Sequence, residues 1–372
     1  MISISYVDFD LPYLYSTKDY PLGGTAVEWG NWLEGLVDNN VDVNLISFDG
    51  ANKTVSSNIN FKIIEAYKLD NGIPVLRNFY YRLPMLLYAI KKSNSKYIFQ
   101  QNAGILSGLT ALSCFILGKK FIYRLGSDID STIDVKKKLG FVAHIMFKYA
   151  LNRATLILCQ NDYQIDNLSK RFDQKKLKKI YNPIKNHDSK KCINNKKDFN
   201  QVAWIGNFRP VKNIHKIIPI AKQFPELMFK IAGLEFKNMD MFVKQSIVEL
   251  KKINNVEFLG YLNNSQIQSL LSSSSFLLNT SEYEGLSNTF LESLSTGTPI
   301  ISSKNANPDE IITKNNLGII VNNDKEYISA IHNINDLIDY NTIGYRAKKF
   351  VSDNFELKSQ SKKLIQFLNQ IK

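Results

Sequence analysis

Residues 277–303 read LLNTSEYEGLSNTFLESLSTGTPIISS, in which the signals for a strand, a loop, a helix and a second strand follow one another. An apolar run ends at Ser281, and Ser287 or Asn288 can cap the helix that follows. That helix is expected to end at Gly297, two residues before Pro299. The stretch therefore predicts a strand at 276–279, a helix at 288–296 and a strand at 299–302, which is the βαβ arrangement of a parallel sheet.

Short β-rich runs alternate with longer amphipathic runs along the rest of the chain, as is typical of strands and helices in βαβ order. Further strands are predicted at residues 2–7, 41–48, 61–66, 97–101, 120–125, 155–159, 201–205, 228–232, 256–259 and 318–321. The predicted fold class is α/β, with two Rossmann-like doubly wound domains that face one another across a cleft. Because open α/β sheets bind ligands outside the carboxyl ends of their strands, functional residues are expected in loops that follow strands.

Residues 187–200 are polar and charged and have no apolar period, as expected of an exposed linker. This linker separates an N-terminal domain at residues 1–186 from a C-terminal domain at residues 201–352. Residues 353–372 are predicted to form a C-terminal helix that could pack back on the N-terminal domain.

The composition is that of an ordinary globular protein: 372 residues, of which 44% are hydrophobic and 22% charged, exclude disorder over the whole length. The net charge of +13 favours anionic partners. Cys114, Cys159 and Cys192 lack paired spacing and are expected to be reduced thiols. The N-terminus has no signal-like segment, and the longest apolar run, 103–118, is too short to span a membrane, so we expect a cytoplasmic protein.

Residues 201–221, QVAWIGNFRPVKNIHKIIPIA, lead from a strand through Gly206 into a helix expected from about Asn213. Arg209 and Lys212 fall at the expected helix N-terminus, where cations and backbone N–H groups attract an anion such as a diphosphate. Two solvated cations in a βα turn would give the same local pattern.

Two carboxylates belong to the opening segment. Glu284 lies in the loop before the helix, and Gly285 beside it lets the backbone approach a ligand closely. Glu292 lies in the early turns of the helix, where a carboxylate can accept hydrogen bonds from the vicinal hydroxyls of a ribose. Alternatively, Glu292 is a surface residue that stabilises the helix N-terminus.

These segments resemble the group 1 (family 4) retaining glycosyltransferases of the GT-B fold. The resemblance rests on GNFRPVKN at 206–213, VEFLGYLN at 256–263 and EGLSNTFLESLSTGTPIIS at 284–302, which contains the two glutamates separated by seven residues that mark the family. The first half of the chain matches less sharply, through Gly23-Gly24, RLGSDID at 124–130 and NPI at 182–184.

The resemblance implies an enzyme that transfers a sugar from a nucleotide-diphosphate donor, with retention and without a metal or other cofactor. It implies three catalytic residues: Arg209 and Lys212, which would bind the diphosphate, and Glu284, which would bind the transferred sugar. Glu292 would bind the ribose hydroxyls. Further donor contacts are implied for Gly24, Gly206, Tyr261, Gly285, Leu286, Ser287, Asn288 and Thr289.

The sequence departs from the family in its first half. Many relatives carry a histidine at the strand end that faces the sugar, whereas this chain has Gln100-Gln101-Asn102 at the comparable position. We therefore expect Asn102 or Asp128 to contact the sugar or acceptor. Glu28 is displaced from the acidic position that often follows the paired glycines.

Asp128-Ile129-Asp130 also matches the DxD motif with which single-domain GT-A transferases hold Mn²⁺ or Mg²⁺ on the diphosphate. A metal role is disfavoured because Arg209 and Lys212 can neutralise the leaving group and because a second α/β domain has no place in that fold. A loop with a helix-capping aspartate is the simpler alternative.

The expected reaction moves a hexose or N-acetylhexosamine from a UDP donor to a saccharide or lipid-linked acceptor, in surface polysaccharide or glycolipid synthesis. GDP-mannose is the other donor left open. A 2-epimerase on the same fold and a basic lipid-docking protein without catalysis are the alternative functions.

Two basic segments flank apolar helices in the first half of the chain. They fit either peripheral contact with the inner face of an anionic membrane or a core helix with a solvated flank. Their cations are Arg77, Arg82, Lys91, Lys92, Lys136, Lys137 and Lys138. No nucleic-acid-binding motif is present, so no nucleic acid partner is expected.

Overall fold

The computed structural model describes residues 2–16, 24–56, 59–185, 197–235, 239–334 and 339–371. The chain divides into two compact units. The first unit comprises residues 1–183 and 357–372, and the second comprises residues 184–356. Gly23, Cys192 and residues 187–196 of the predicted linker lie outside the described residues.

The described part of the first unit contains seven parallel strands in the order β3-β2-β1-β4-β5-β6-β7. They are β1 (Ser3–Val7), β2 (Asp42–Ser47), β3 (Lys62–Glu65), β4 (Tyr97–Gln100), β5 (Lys120–Arg124), β6 (Leu156–Cys159) and β7 (Leu177–Lys179). The strand order reverses between β1 and β4, and such a switch point opens a crevice at the carboxyl ends of the two strands.

The helices of the first unit cover both faces of its sheet. They are α1 (Gly24–Val37), α2 (Ala51–Thr54), α3 (Leu83–Ser93), α4 (Ile105–Ile116), α5 (Val135–Lys138), α6 (Phe141–Arg153) and α7 (Asp162–Ser169), with the C-terminal α15 (Leu357–Asn369). Helices α3, α4 and α6 enclose one hydrophobic core, whereas α1 and α15 enclose the other. Cys114 and Cys159 are buried free thiols.

The described part of the second unit contains six strands, all parallel, in the order β10-β9-β8-β11-β12-β13. They are β8 (Asp198–Ile205), β9 (Met228–Ala232), β10 (Val256–Gly260), β11 (Ser274–Asn279), β12 (Ile300–Ser303) and β13 (Gly318–Val321). Its helices are α8 (Ile217–Gln223), α9 (Met241–Leu250), α10 (Asn264–Ser273), α11 (Asn288–Thr296), α12 (Ile311–Lys314), α13 (Asp324–His332) and α14 (Tyr340–Phe355). The strand order reverses between β8 and β11.

Short helical turns complete both units. The first unit has 3₁₀ turns at Leu11–Tyr15, Asp128–Ser131 and Gln174–Lys176 and a π-helical turn at Asn78–Arg82. The second unit has 3₁₀ turns at Pro210–Lys212, Ile214–Lys216, Lys304–Ala306 and Pro308–Glu310.

The two parallel sheets confirm the predicted α/β class with two Rossmann-like domains, but two boundaries and one strand differ from the sequence prediction. Strand β8 begins at Asp198, inside the predicted linker 187–200. Strand β7 was not predicted, because it is only three residues long and two of them are lysines. At the C-terminus α14 continues past residue 353 to Phe355, and the division between the units falls at Glu356.

Candidate functional site

The loops after β8 and β11 begin at the switch point of the second sheet. Gly206 directly follows β8, and its N–H donates to the Ala232 carbonyl over 3.0 Å. A Cβ at Gly206 would lie 3.5 Å from the Trp204 ring and 3.6 Å from the Lys212 side chain, which are ordinary contact distances, so both side chains border Gly206. Gly233, which the sequence did not single out, has the Gly206 carbonyl where its own Cβ would stand. Only glycine fits at position 233 without displacing this loop.

The segment after Gly206 differs from its prediction. Instead of an α-helix from Asn213, two short 3₁₀ turns come first, and the α-helix begins at Ile217. Pro210 opens the first turn, and Asn213 adopts the left-handed conformation with φ of 47°, which interrupts a continuous helix. Arg209 and Lys212 therefore do not stand at an α-helix N-terminus, and the positive charge here comes from their side chains.

Arg209 and Lys212 have different environments. Arg209 is exposed, and no hydrogen bond or ion pair holds its side chain within the described residues. The Lys212 side chain is only 21% exposed, and its ammonium pairs with Oε1 of Glu284, which is 15% exposed. One cation is therefore available to a ligand, while the other is already balanced by a carboxylate.

A hydrogen-bond network joins the two loops. The Ser281 hydroxyl lies 2.7 Å from Glu284 Oε1. The Trp204 indole donates to the Thr280 hydroxyl over 3.0 Å, and that hydroxyl donates to the Lys212 carbonyl over 2.7 Å. These contacts bring together a cation and a carboxylate that are 72 residues apart in the chain.

Glu292 lies on α11 and is buried, with 7% of its surface exposed. Desolvation raises the pKa of its carboxyl to about 7. Among the described residues no hydrogen bond or ion pair to this carboxylate is found. A buried carboxylate without a protein partner is suited to accept hydrogen bonds from a ligand. The surface alternative for Glu292 is wrong.

The other predicted donor contacts border the same loops. Leu286 is buried, whereas Gly285, Ser287, Asn288 and Thr289 are partly exposed. Ser287 precedes α11 without a side-chain cap bond.

Tyr261 directly follows β10, which is the edge strand of the second sheet, and is 37% exposed. It follows Gly260, whose φ of 68° requires glycine-like freedom at the end of β10. Gly260 also accepts a hydrogen bond from Gly233 N–H over 2.9 Å, which ties β10 to the chain beside Gly206.

The candidate residues of the first unit follow strands β4 and β5 or begin α1. Gly24 is the first residue of α1. Asn102 is exposed and has a φ of 75°. Asp128 is partly buried, and its Oδ1 accepts hydrogen bonds from the side-chain amides of Asn161 and Gln164, each over 2.8 Å.

The two carboxylates of the DxD motif have different partners. Asp130 is buried and pairs with Lys138 over 3.0 Å, whereas the amides of α7 and its N-cap hold Asp128. In the described ranges no group of three or more His, Cys, Asp or Glu side chains is placed to hold a metal ion.

A buried polar cluster in the first unit was missed at the sequence level. Arg124, at the end of β5, is completely buried and pairs with Glu28 of α1. The other carboxylate oxygen of Glu28 lies 3.3 Å from the Gln101 amide nitrogen and 3.5 Å from that of Gln160. Arg124 also donates to the side chain of Asn182. The signal available in the sequence was an arginine at the end of an otherwise apolar strand.

In the described part of the chain, none of the helices combines the length and apolar character that crossing a bilayer requires.

Comparison with known proteins identifies relatives of both units. Residues 186–350 match the family model for glycosyl transferases group 1. An uncharacterized glycosyltransferase of Methanocaldococcus jannaschii is 24% identical over 351 residues, which are 91% of this chain and 92% of the relative. The O-antigen chain mannosyltransferase RfbU of Salmonella typhimurium is 26% identical over 206 residues, or 54% of this chain and 58% of that protein.

Solved structures share the fold over the whole chain. HepE of Anabaena, determined in complex with UDP and glucose, superposes with a TM-score of 0.77 at 17% identity, covering 99% of this chain and 100% of HepE. The sucrose-phosphate synthase of Thermosynechococcus elongatus superposes with a TM-score of 0.75 at 15% identity, covering 100% and 99% of the two chains. The two Rossmann-like units are therefore those of the GT-B fold.

Proposed function

We propose that the chain, whose residues 186–350 match the model for glycosyl transferases group 1, moves a hexose or N-acetylhexosamine from a UDP sugar to a saccharide or lipid-linked acceptor. The observation that carries this proposal is the ion pair of Lys212 and Glu284 in the loops at the switch point of the second sheet, one of which also holds the exposed Arg209. A cation for phosphate and a carboxylate for sugar hydroxyls are the two groups that a nucleotide-sugar site needs next to one another.

Charge on the departing diphosphate is the main demand of this reaction. The bond between the anomeric carbon and the phosphate oxygen breaks, and negative charge grows on that oxygen. In the proposed mechanism Arg209 and Lys212 stabilise this charge, and loss of one such donor typically lowers the rate by about 10²–10³. Glu284 holds hydroxyls of the transferred sugar, and its pairing with Lys212 sets the position of both groups.

Glu292 is assigned to the ribose. Its carboxylate is buried and has no partner among the described residues, which supports a ligand-binding role. Main-chain groups of residues 285–289, with Gly206, complete the proposed donor site, and Tyr261 is placed against the base. In the first unit Gly24 is assigned to the phosphates, and Asn102 or Asp128 to the sugar or acceptor.

The stereochemistry is proposed as retention, with the acceptor attacking the face from which the diphosphate leaves and a phosphate oxygen taking the acceptor proton. No metal is assigned to the step, because Arg209 and Lys212 provide positive charge at the leaving group.

The donor is proposed as UDP-linked because HepE, a structural relative over the whole chain, was determined with UDP and glucose. RfbU is named as a mannosyltransferase, which makes GDP-mannose the competing donor. Its O-antigen substrate also supports a role in surface polysaccharide or glycolipid synthesis. We propose that this synthesis takes place on the cytoplasmic side of a membrane.

The proposal is tested by calorimetric titration of the protein with UDP and GDP. UDP is expected to bind the unmodified protein, and Arg209→Ala and Glu292→Ala are expected to abolish detectable binding. Matched controls are Arg346→Ala and Glu249→Ala, which remove the same groups from a partly exposed and an exposed position of the second unit. Equal binding by all four variants would refute the site assignment.

A second measurement distinguishes transfer from isomerisation. The protein is incubated with UDP-glucose and UDP-N-acetylglucosamine without acceptor, and the nucleotide sugars are separated afterwards. Unchanged donor, or slow release of UDP, agrees with a transferase, whereas a new sugar nucleotide would identify an epimerase.

A further inference from the structure

The charge of the first unit is unevenly distributed along its sequence. Residues 71–127 and 135–161 contain no Asp or Glu, but they contain thirteen Lys or Arg. Besides strands β4, β5 and β6, which hold the buried Arg124, these stretches contain α5 and the helices α3, α4 and α6, which pack on one another and cover one face of the first sheet. We call the outer surface of these three helices, with the turns that precede α3 and α6, the basic face.

Large apolar side chains are exposed on this basic face. Within the described residues of the first unit, every exposed large hydrophobic side chain except Tyr163 lies between residues 73 and 145. Helices α1 and α15, which cover the opposite face of the sheet, expose none among the residues described. The exposed side chains are Ile73, Val75, Leu76, Phe79, Tyr80, Met85, Tyr88, Phe115, Ile116, Ile133, Phe141, Val142 and Ile145.

Cations and apolar groups alternate within single helices of the basic face. On α6, Phe141, Ile145 and Lys148 share one exposed stripe, and Phe141 is 77% exposed. The guanidinium of Arg153 lies 4.1 Å from the ring centre of Phe115 on α4. Lys136 and Lys148 are exposed, and neither has an ion pair within the described part of the chain.

This combination determines the kind of partner. A second copy of the chain would bring two faces of net positive charge together, which repel one another even though Asp134 pairs with Lys137. Exposed aromatic rings between unpaired cations instead match the interface of an anionic bilayer, where rings enter the headgroup region and cations meet lipid phosphates.

We propose that the basic face docks the protein on an anionic lipid bilayer. The inference deepens the proposed function, on which it rests for the lipid-linked acceptor, by naming the surface that brings the enzyme to that acceptor. Docking itself uses residues outside the donor site of the second unit.

The experiment is co-sedimentation of the full chain with vesicles of phosphatidylcholine, with and without phosphatidylglycerol. We expect binding to the anionic vesicles only, decreasing as salt is raised. The double variant Lys136→Gln/Lys148→Gln is expected to lower the partition coefficient by about 30-fold, since each lysine near such a surface contributes about fivefold. The matched control Lys358→Gln/Lys362→Gln removes the same charge from α15 and is expected to bind as the unmodified protein does.

A second pair of variants tests the apolar part of the surface. Phe141→Ser is expected to weaken vesicle binding, whereas Tyr345→Ser, at a residue of the second unit that is 73% exposed, is expected to leave it unchanged. Failure of the unmodified protein to bind anionic vesicles, or equal binding by all variants, would overturn the docking inference. UDP titration in the absence of vesicles distinguishes the two proposals. The docking variants should bind UDP as the unmodified protein does. If the unmodified protein does not bind UDP, only the proposed function is refuted.

Discussion

The buried carboxyl of Glu292 makes donor binding depend on pH. Its pKa of about 7 means that much of the carboxyl is protonated near neutral pH before ligand binds. Ribose hydroxyls donate hydrogen bonds best to the ionised form, so UDP affinity should fall as pH is lowered from 8 to 6, by about tenfold per pH unit at most. Calorimetry across this range checks it. Because the UDP phosphate also titrates, the comparison is with Glu292→Gln, whose pH profile should lack this contribution.

The same carboxyl affects the stability of the ligand-free protein. Burial raises its pKa from 4.5 to about 7, so between these values the native state binds more protons than the unfolded state. The contribution of Glu292 to the free energy of unfolding is therefore most favourable below pH 4.5 and is lost as pH rises through 7. Glu292→Gln, which cannot ionise, should be more stable than the unmodified protein at pH 8 by roughly 1–3 kcal/mol. Urea denaturation at pH 8 and pH 5 measures it, and a larger difference at pH 5 would contradict the argument.

Replacement of Glu284, which pairs with Lys212, is expected to change UDP binding and sugar transfer in opposite directions. Glu284→Gln removes the negative charge that neutralises Lys212, which is assigned to the phosphates. UDP should therefore bind a few times more tightly to this variant, whereas sugar transfer should fall by about 10² because the carboxylate no longer holds the sugar. Glu282→Gln, two residues away and exposed, is the control. Parallel losses of UDP binding and transfer would show that Glu284 serves only to maintain the loop.

The ion pair of Glu28 and Arg124 is expected to affect stability strongly, because both charges are buried and solvent does not screen them. The two side chains are 3% and 1% exposed. Arg124→Met should lower the free energy of unfolding by about 3–5 kcal/mol, because Glu28 is left buried and unpaired. Adding Glu28→Leu should recover a large part of that loss. Urea denaturation of the single and double variants tests this coupling, and simple additivity would argue against the pair.

At the scale of single elements, the sequence predicted helix boundaries well where they depend on residues next to the boundary. Helix α11 begins at Asn288 and ends at Thr296 as predicted, and Gly297, with φ of 79°, ends it, although Ser287 makes no side-chain cap bond at its start. The prediction of an α-helix from Asn213 was wrong, since that residue adopts a left-handed conformation between two 3₁₀ turns. The Arg124–Glu28 pair could not be predicted either, because it joins residues 96 apart in the chain.

The contact between α1 and α15 makes one helical glycine sensitive to substitution. A Cβ at Gly35 would lie 2.9 Å from Leu357 Cγ and closer still to the Ser361 hydroxyl. Gly35→Ala should therefore destabilise the protein by about 1–3 kcal/mol, although alanine is the better helix former by about 1 kcal/mol.

Gly344 of α14 is the matched control for Gly35. Its Cβ would meet the Gly297 carbonyl at an ordinary 3.4 Å, so Gly344→Ala should be neutral or slightly stabilising. Thermal denaturation of both variants measures the difference, and equal shifts would show that helix propensity rather than packing determines the outcome.

At the scale of the whole molecule, the two units do not simply follow one another along the chain. The chain leaves the first unit after Pro183 and returns to it at Leu357, so the C-terminal helix belongs to the first unit. Next to the two positions at which the chain passes from one unit to the other, Ile184 N–H donates to the Phe355 carbonyl over 2.8 Å. Composition and periodicity could locate the polar linker but not this pairing, since the pairing depends on residues about 170 positions apart in the chain.

Each unit has its own sheet and its own hydrophobic cores, so a ligand bound to one unit should protect that unit first. At a concentration 100 times its dissociation constant, UDP should add about 2.7 kcal/mol to the free energy of opening of the elements that hold it. Hydrogen exchange measured by mass spectrometry should therefore slow at β8, β11 and α11 of the second unit, and much less at β2 and β3 of the first. Glu292→Ala should lose this protection at the same UDP concentration. Protection that is equal in both sheets, or that is confined to β2 and β3, would move the nucleotide away from the loops after β8 and β11 and would remove Arg209, Lys212 and Glu292 from the binding site together.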